Sequence, residues 1–447
     1  MLADIDGGPH TSIDAFYMGL FELDPTEQDA RLEQLDAAVE TLPERERNLF
    51  NKSLRRSRPG TLAQSMADDM AAGTFPTVSF VVTSAAECEH PSTGSPIQGA
   101  KVTYDVLDAL ASNREVWDHA VFFYTLDEND GLFDHVPAPT PPTDDTGERT
   151  ADDLPVGLGA RVPMIVISPW TVGGWVCSET FDHTSMIQFL EVVTDVKTDQ
   201  ITSWRRQVAG DLTSAFDFAG TGTMPEFTQL GDVPEFVERW LPQPPAEQAL
   251  PEQEPGTRPA RSLPYQTDSF AVIGDEFDVA LSNAGTKSAH FAVFNWHDLA
   301  EPIQVDVAAE GEEHVTVPFG GVFYDVTVLG PNRFLRDFAG SSYEVGAAVE
   351  VTSVVTGGEG VRTVALTISN RADADEGKAV TVTITHAAYA EGAAQQHTLE
   401  PGTDVATSFD FEATDGWYDI EIAVDGDPAF RRRLTGHIEN GKPSITG

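Results

Sequence analysis

Ala120-Val121-Phe122-Phe123-Tyr124-Thr125-Leu126 runs straight into Asp127-Glu128-Asn129-Asp130-Gly131-Leu132-Phe133-Asp134-His135. The first part is almost wholly apolar, the pattern of a strand covered by helices on both faces of a layered α/β sheet. The second gathers four carboxylates and an imidazole directly after that strand. In open α/β sheets ligands bind outside the carboxyl ends of the strands. The pair of segments therefore predicts an α/β domain with a chemical site at one sheet edge.

The alternation continues on either side. Thr77-Val78-Ser79-Phe80-Val81-Val82-Thr83 reads as a strand, and Val102 to Asn113 as a helix with Val106, Leu107 and Leu110 on one side. Val162 to Ser168 reads as a third strand, and Thr184 to Val193 as the helix after it. The Pro-, Thr- and Asp-rich stretch 136–156 is a loop beside the site. Upstream, residues 1 to about 70 look helical and polar. One helix follows Asp24-Pro25 with Leu32, Leu35 and Val39 spaced three or four apart, and another starts near Thr61.

Seven prolines between Pro242 and Pro264 mark a stiff linker over 242–262. Beyond it short alternating runs such as Phe277 to Leu281 and Val380 to Thr385 are separated by Gly, Asn and Asp turns, a β texture. Phe323-Tyr324-Asp325-Val326 with Phe334-Leu335-Arg336-Asp337 recurs as Trp417-Tyr418-Asp419-Ile420 with Phe430-Arg431-Arg432-Arg433, offset by 94 to 96 residues. That offset fits an immunoglobulin-like sandwich. The expected fold is a partial layered α/β domain over 1–241, then all-β sandwiches over 263–342 and 343–447. Trp296 and Trp417 are expected inside the sandwich cores.

Seventy-two acidic against 27 basic residues give a formal charge of −45, which disfavours nucleic acid or anionic membranes as partners. Only Cys88 and Cys177 are present, open to one disulfide or two free thiols. The amino terminus has neither the basic nor the apolar region of a signal peptide. No apolar run approaches the roughly 20 residues that span a bilayer.

Three motifs place histidine near carboxylate: Glu89-His90-Pro91-Ser92, the Asp127–His135 run, and Phe181-Asp182-His183-Thr184-Ser185. Oxygen and imidazole donors together suit a divalent metal. Taken alone, Asp182 before a helix reads more readily as an N-cap.

In order, Ala72-Gly73-Thr74-Phe75-Pro76-Thr77-Val78-Ser79, Glu89-His90-Pro91-Ser92, Asp127 to Pro137, Arg161-Val162-Pro163 through Ser168-Pro169-Trp170, and Phe181 to Ser185 closely resemble the bacterial phosphocholine-specific phospholipase C family. The likeness continues through Trp204-Arg205-Arg206, Gly210-Asp211-Leu212-Thr213 and Pro255 to Arg261 into the β modules. It implies an alkaline-phosphatase-like domain that hydrolyses phosphocholine-containing lipids with a hydroxyl nucleophile and a divalent metal ion. It also implies a secreted or cell-surface location, a phospholipid partner with peripheral membrane contact, and a monomer. By resemblance Asp182 and His183 stand on the metal side. His90, His135 and Glu128 are the catalytic candidates, and Glu89, Asp127 and Asp130 the substrate-binding ones.

The family's upstream Glu-Asn-Arg-Ser-Phe-Asp-His-type and Gly-Pro-Thr-Asn-Pro-Asn-Arg-type segments, which bring further ligands and the nucleophile, do not occur. The expectation is a chain that starts inside the catalytic domain. Rival readings are an inert protein whose sandwiches bind surfaces or lipid, and an acid-phosphatase-like monoesterase.

Overall fold

The computed structural model of the chain describes residues 13–21, 23–90, 93–143, 147–220, 231–234, 246–247, 249, 255–274, 276–298, 301–358, 360–375 and 377–445. Residues 242–245, 248 and 250–254 of the linker expected over 242–262 lie outside these. The chain forms two compact units, 1–121 with 223–250, and 122–222 with 251–447.

The first unit is helical: α1 (Ile13–Phe21), α2 (Pro25–Glu40), α3 (Glu44–Ser53), α4 (Leu62–Ala72), α5 (Pro96–Ser112) and α6 (Arg114–Trp117). Asp24 caps α2 by accepting from the N–H groups of Thr26 and Glu27, with Pro25 at the first helical position where no donor is missed. The expected spacing then turns Leu35 and Val39 onto Phe16, Tyr17 and Leu20. Gly73 stops α4 in the left-handed region at φ 68°, where a Cβ would be strained. The strand expected over Thr77–Thr83 does not form. The segment is irregular, with Phe80 81% and Val82 79% exposed. Alternation marks a segment that could pair, but pairing needs a neighbouring strand that the pattern itself does not supply.

The second unit opens with β1 (Phe122–Thr125) and β2 (Met164–Ile167), paired antiparallel from Phe122↔Ile167 to Thr125↔Met164. The helices α7 (His183–Thr194) and α8 (Ser203–Val208) follow. A short β3 (Arg258–Pro259) pairs with the last strand, β18 (Pro443–Ser444).

Between β3 and β18 lie two seven-stranded sandwiches. The first comprises β4 (Thr267–Ile273), β5 (Phe277–Asn283), β6 (Ala289–Asn295), β7 (Ile303–Val307), β8 (Gly311–Val317), β9 (Phe323–Leu329) and β10 (Leu335–Ser341). The second comprises β11 (Val349–Thr356), β12 (Thr363–Asn370), β13 (Val380–Ala388), β14 (Gln395–Leu399), β15 (Asp404–Asp410), β16 (Trp417–Val424) and β17 (Asp427–His437). Each packs a three-stranded sheet, β4-β5-β8 or β11-β12-β15, on a four-stranded one, β7-β6-β9-β10 or β14-β13-β16-β17. This is an immunoglobulin-like Greek key written twice. Alternate residues fill the two cores, Phe277, Val279 and Leu281 in one and Val364, Leu366 and Ile368 in the other.

The four-stranded sheets do not end at their last strands. β10 pairs antiparallel with β17, fusing both into one eight-stranded sheet. Asp337 lies opposite Arg433, its own equivalent in the repeat, so the two copies meet about a local twofold. Arg336 is buried over the rings of Phe334 and Tyr418, and Arg432 over those of Phe430 and Tyr324. Each arginine thus stacks on one ring of its own module and one of the other.

The tryptophan expectation needs correction. Trp296 is 52% exposed on the outer sheet face, its indole N–H donating to Thr327 Oγ1 at 2.8 Å. Trp417 is half-buried, stacked on the His437 ring, with its N–H donating to the Ile445 carbonyl. Both indoles lie just past the strand positions that face the cores.

Candidate functional site

In the second unit α7 begins at the motif residues. Asp182 is its N-cap: Oδ1 accepts from Thr184 N–H at 2.8 Å and from Thr184 Oγ1 at 2.6 Å, while Ser185 Oγ accepts from Asp182 N–H. The other oxygen is not spare. Arg205 Nη1 donates to Asp182 Oδ2 at 2.7 Å, and the same guanidinium grips Glu148 through Nε at 3.0 Å and Nη2 at 3.1 Å. All three side chains are largely buried, at 19%, 6% and 5% exposure for Arg205, Asp182 and Glu148. One cation between two carboxylates lowers the cost of burying any of them.

His183, one residue into the helix, is exposed, and its Nε2 lies 3.1 Å from the Asp127 carbonyl oxygen. A carbonyl only accepts, so Nε2 carries the proton and Nδ1 of the neutral ring keeps the lone pair. Two motifs 56 residues apart in sequence meet through this bond.

The Asp127–His135 loop is a tight turn with Asp130 and Gly131 at φ 53° and 73°. Its anchor is Asp134, which accepts from Arg161 Nε and Nη2 at 2.8 Å each, from Arg161 N–H at 2.9 Å and from Val136 N–H at 3.1 Å. The Arg161 hydrogen bond holds the Asp134 carboxyl far below the usual range. Beyond that anchor Asp127, Glu128, Asp130 and His135 are exposed, with the His135 ring 3.8 Å from Asp134.

Glu89 and His90 belong to the first unit. The Glu89 side chain lies on Gly99 in the first turn of α5, where a Cβ would meet its Oε1 at 2.6 Å. The exposed His90 accepts at its carbonyl from Thr93 and Gly94.

Asp182 and His183 do not by themselves fit a divalent ion. A guanidinium already sits against one Asp182 oxygen, and among the described residues no three His, Cys, Asp or Glu side chains converge as a metal requires. Both cysteines are free thiols. Burial pushes the Cys177 thiol up, away from the reactive thiolate.

Sequence reasoning did not assign roles to Arg205, Glu148 and Arg161. Trp204-Arg205-Arg206 stood out only as part of the resemblance, yet each member has a partner. Trp204 donates to Asp306, Arg205 holds Asp182, and Arg206 binds Glu191 of α7 in a fork at 2.7 and 2.9 Å.

Comparison with known proteins bears on this arrangement. The Phosphoesterase family model matches residues 25–197, and that of the bacterial phospholipase C C-terminal domain matches twice, over 259–341 and 342–437. Non-hemolytic phospholipase C of Burkholderia pseudomallei is 38% identical over 420 residues, 87% of this chain and 59% of the relative. The chain carries a phosphoesterase-family segment and two copies of the bacterial phospholipase C C-terminal domain. Its Pseudomonas aeruginosa relatives include a non-hemolytic phospholipase C at 37% identity over 85% of this chain and 59% of that protein. A hemolytic phospholipase C from the same species is 34% identical over 84% and 58%. The chain spans about three-fifths of the length of these curated phospholipases C. Among the described residues no helix is long and apolar enough to cross a membrane.

Proposed function

We propose that the chain carries the headgroup and leaving-group side of a phospholipase C-type phosphodiesterase acting on phosphocholine-containing lipids. The observation that carries the reading is the His183–Asp127 bond, which joins two motifs shared with phospholipases C at the end of a capped helix. His135 is an exposed imidazole able to contact the phosphate or protonate the leaving glyceryl oxygen. Asp127, Glu128 and Asp130 supply negative charge for the quaternary ammonium of choline. A zwitterionic headgroup suits a chain with a formal charge of −45 better than an anionic one. Arg205 positions Asp182 and so the start of α7. The metal ion and hydroxyl nucleophile that the resemblance implies need donors beyond Asp182 and His183.

The test is hydrolysis of a chromogenic phosphocholine diester by the folded chain, its His183→Ala variant and a chelator-treated sample. Turnover that both His183→Ala and the chelator lower by about 10–100-fold or more would support the assignment and show that a nucleophile lies within the chain. Equal rates for His183→Ala and the parent would sink the assignment. A second reading, surface binding without catalysis, is favoured by the guanidinium seated on Asp182. It predicts no turnover by the folded chain together with retained binding to phosphocholine vesicles.

A further inference from the structure

The two β modules are copies, so each serves as a control for the other. Equivalent positions are fixed by Asn283 and Asn370. Asn283 Nδ2 donates to the carbonyls of Lys287 at 2.7 Å and Val307 at 3.4 Å, and Asn370 Nδ2 to those of Lys378 at 2.9 Å and Leu399 at 3.1 Å. Counting on from the lysines and back from Val307 and Leu399, His290 and Asp306 correspond to Thr381 and Thr398. Both pairs are cross-strand neighbours, His290↔Asp306 between β6 and β7 and Thr381↔Thr398 between β13 and β14. In the second module the position is an ordinary surface one: Thr398 is exposed, and the two hydroxyls share a 3.0 Å hydrogen bond. In the first it holds a buried carboxylate and imidazole, with side chains 10% and 7% exposed. Burying a carboxylate costs free energy that a threonine pair avoids. The sandwich core does not call for it, because Ala289, Phe291 and Val307 face that core and their neighbours point to the outer sheet face.

What covers the pair is α8. Trp204, 3% exposed, donates its indole N–H to Asp306 Oδ2 at 3.0 Å, while His290 Nδ1 donates to Oδ1 at 2.7 Å. The His290 ring meets the indole edge-on, with 6.3 Å between centroids. The Arg205 guanidinium lies over the same indole at 5.9 Å from its centroid, within cation–π reach. This is the guanidinium that holds Asp182 and Glu148. A line of contacts therefore runs from β7 through Trp204 and Arg205 to the N-cap of α7, with His183 beside it.

We propose that His290 and Asp306 are positioning residues of the phosphodiesterase site. The first β module presents a fixed carboxylate that holds Trp204, and through it Arg205, so that Asp182 and His183 keep their geometry. The inference rests on the phospholipase C reading of that site, and it gives the first module a role that the second lacks at the same position. A side chain that places a site group works only while it is itself locked. Asp306 meets that condition with both oxygens engaged, and His290 is held on its other side by Gln304, whose Oε1 lies 2.8 Å from Nε2.

The test compares Asp306→Ala, Asp306→Asn, Trp204→Phe and Thr398→Ala in the full chain without substrate. Two readouts are local to the site. One is hydrogen exchange of the Thr184 amide, which donates to Asp182 Oδ1, and the other is the ring-nitrogen NMR signals of His183, whose Nε2–H donates to the Asp127 carbonyl. A third, exchange of β5 and β12, reports on the two sandwich cores. Asp306→Ala and Trp204→Phe are expected to lower Thr184 protection by about tenfold or more, the factor carried by one lost hydrogen bond to a charged group. They also turn His183 into a mixture of its two tautomers, while β5 and β12 keep their protection. Asp306→Asn, which keeps an acceptor oxygen for the indole, recovers part of the loss, and Thr398→Ala changes nothing. Trp204→Phe removes the donor while keeping a ring beneath Arg205, and it decides the matter alone if Asp306→Ala does not fold. Unaltered Thr184 exchange and His183 signals in the disruptive variants overturn the proposal. So does a loss shared equally by β5 and β12, which marks general support of the fold and not positioning. No substrate enters these measurements, so a parent chain that fails to hydrolyse the diester counts against the phosphodiesterase reading alone.

Discussion

At the scale of single residues the second unit depends on arginines placed between carboxylates. Arg206 is the clearest case, because its partner Glu191 is 3% exposed and the other cation on it, Lys197, stands farther off at 3.9 Å. The Arg206 hydrogen bond, helped by the Thr198 N–H, holds the Glu191 carboxyl down to about 2 from its ordinary 4.5. A carboxyl whose folded value is depressed contributes stability that is fully present above its unfolded value and is lost as pH falls through the folded one. Protection of the α7 amides is therefore expected to decline between about pH 4.5 and 2. Arg206→Gln should lower that protection at neutral pH and weaken the acid decline, because the buried carboxyl then keeps only Lys197 and the Thr198 N–H to favour its charged form. Hydrogen exchange across His183–Thr194 at three or four pH values checks both signs. An unchanged acid slope in the variant would show that other carboxylates carry the effect.

At the scale of elements, the β modules show how a glycine in each copy sets a strand contact. A Cβ on Gly340 would come within 2.4 Å of Tyr324 Oη, and one on Gly436 within 2.4 Å of Tyr418 Oη. Those hydroxyls accept from the buried Arg432 and Arg336. Gly340→Ala and Gly436→Ala are each expected to destabilise by about 1–3 kcal/mol, as overpacked cores do. Gly320→Ala, with open space around it, should be near neutral. Denaturant midpoints of the three variants decide the point, and a neutral Gly436→Ala would show that the tyrosine can shift aside.

The repeat that carries these glycines was legible in sequence because Tyr324/Tyr418 and Arg336/Arg432 recur with the strands around them. Helices α2, α4, α5 and α7 were legible for the same local reason, since spacing and caps are written within one element. Thr77–Thr83 was misread because a strand is defined by its neighbour. Arg205 went without a role because its partners Asp182 and Glu148 lie 23 and 57 positions away, and only the fold brings them to one guanidinium. His183 could be singled out from its motif, but the Asp127 carbonyl that fixes its tautomer is a backbone atom that no residue pattern announces.

At the scale of the whole second unit, the two sandwiches are less separable than a tandem repeat suggests. Edge strands are ordinarily protected by charge, proline or a cover. Here β10 and β17 protect each other, and the cores on either side are linked by crossed arginines. Arg336 donates to Asp268 of its own module at 3.2 Å, while Ser353 of the second module donates to the same Asp268 oxygen at 2.5 Å. Burial pushes the Asp268 carboxyl up despite Arg336, so the charge balance there is delicate. Removing the arginine leaves that carboxyl without its cation, and breaking such a buried pair costs about 3–5 kcal/mol. Because Arg336 also stacks on Tyr418, the loss should be felt on both sides of the β10–β17 seam. Arg336→Met is therefore expected to lower the stability of both modules together. Hydrogen exchange of β5 in the first and β12 in the second should reach the same reduced opening energy. Replacing Asp268 with Asn in the same chain should recover part of the loss, since the stranded carboxylate is then gone. If β5 alone loosens while β12 keeps its protection, the modules fold independently and the shared sheet is only a contact between them.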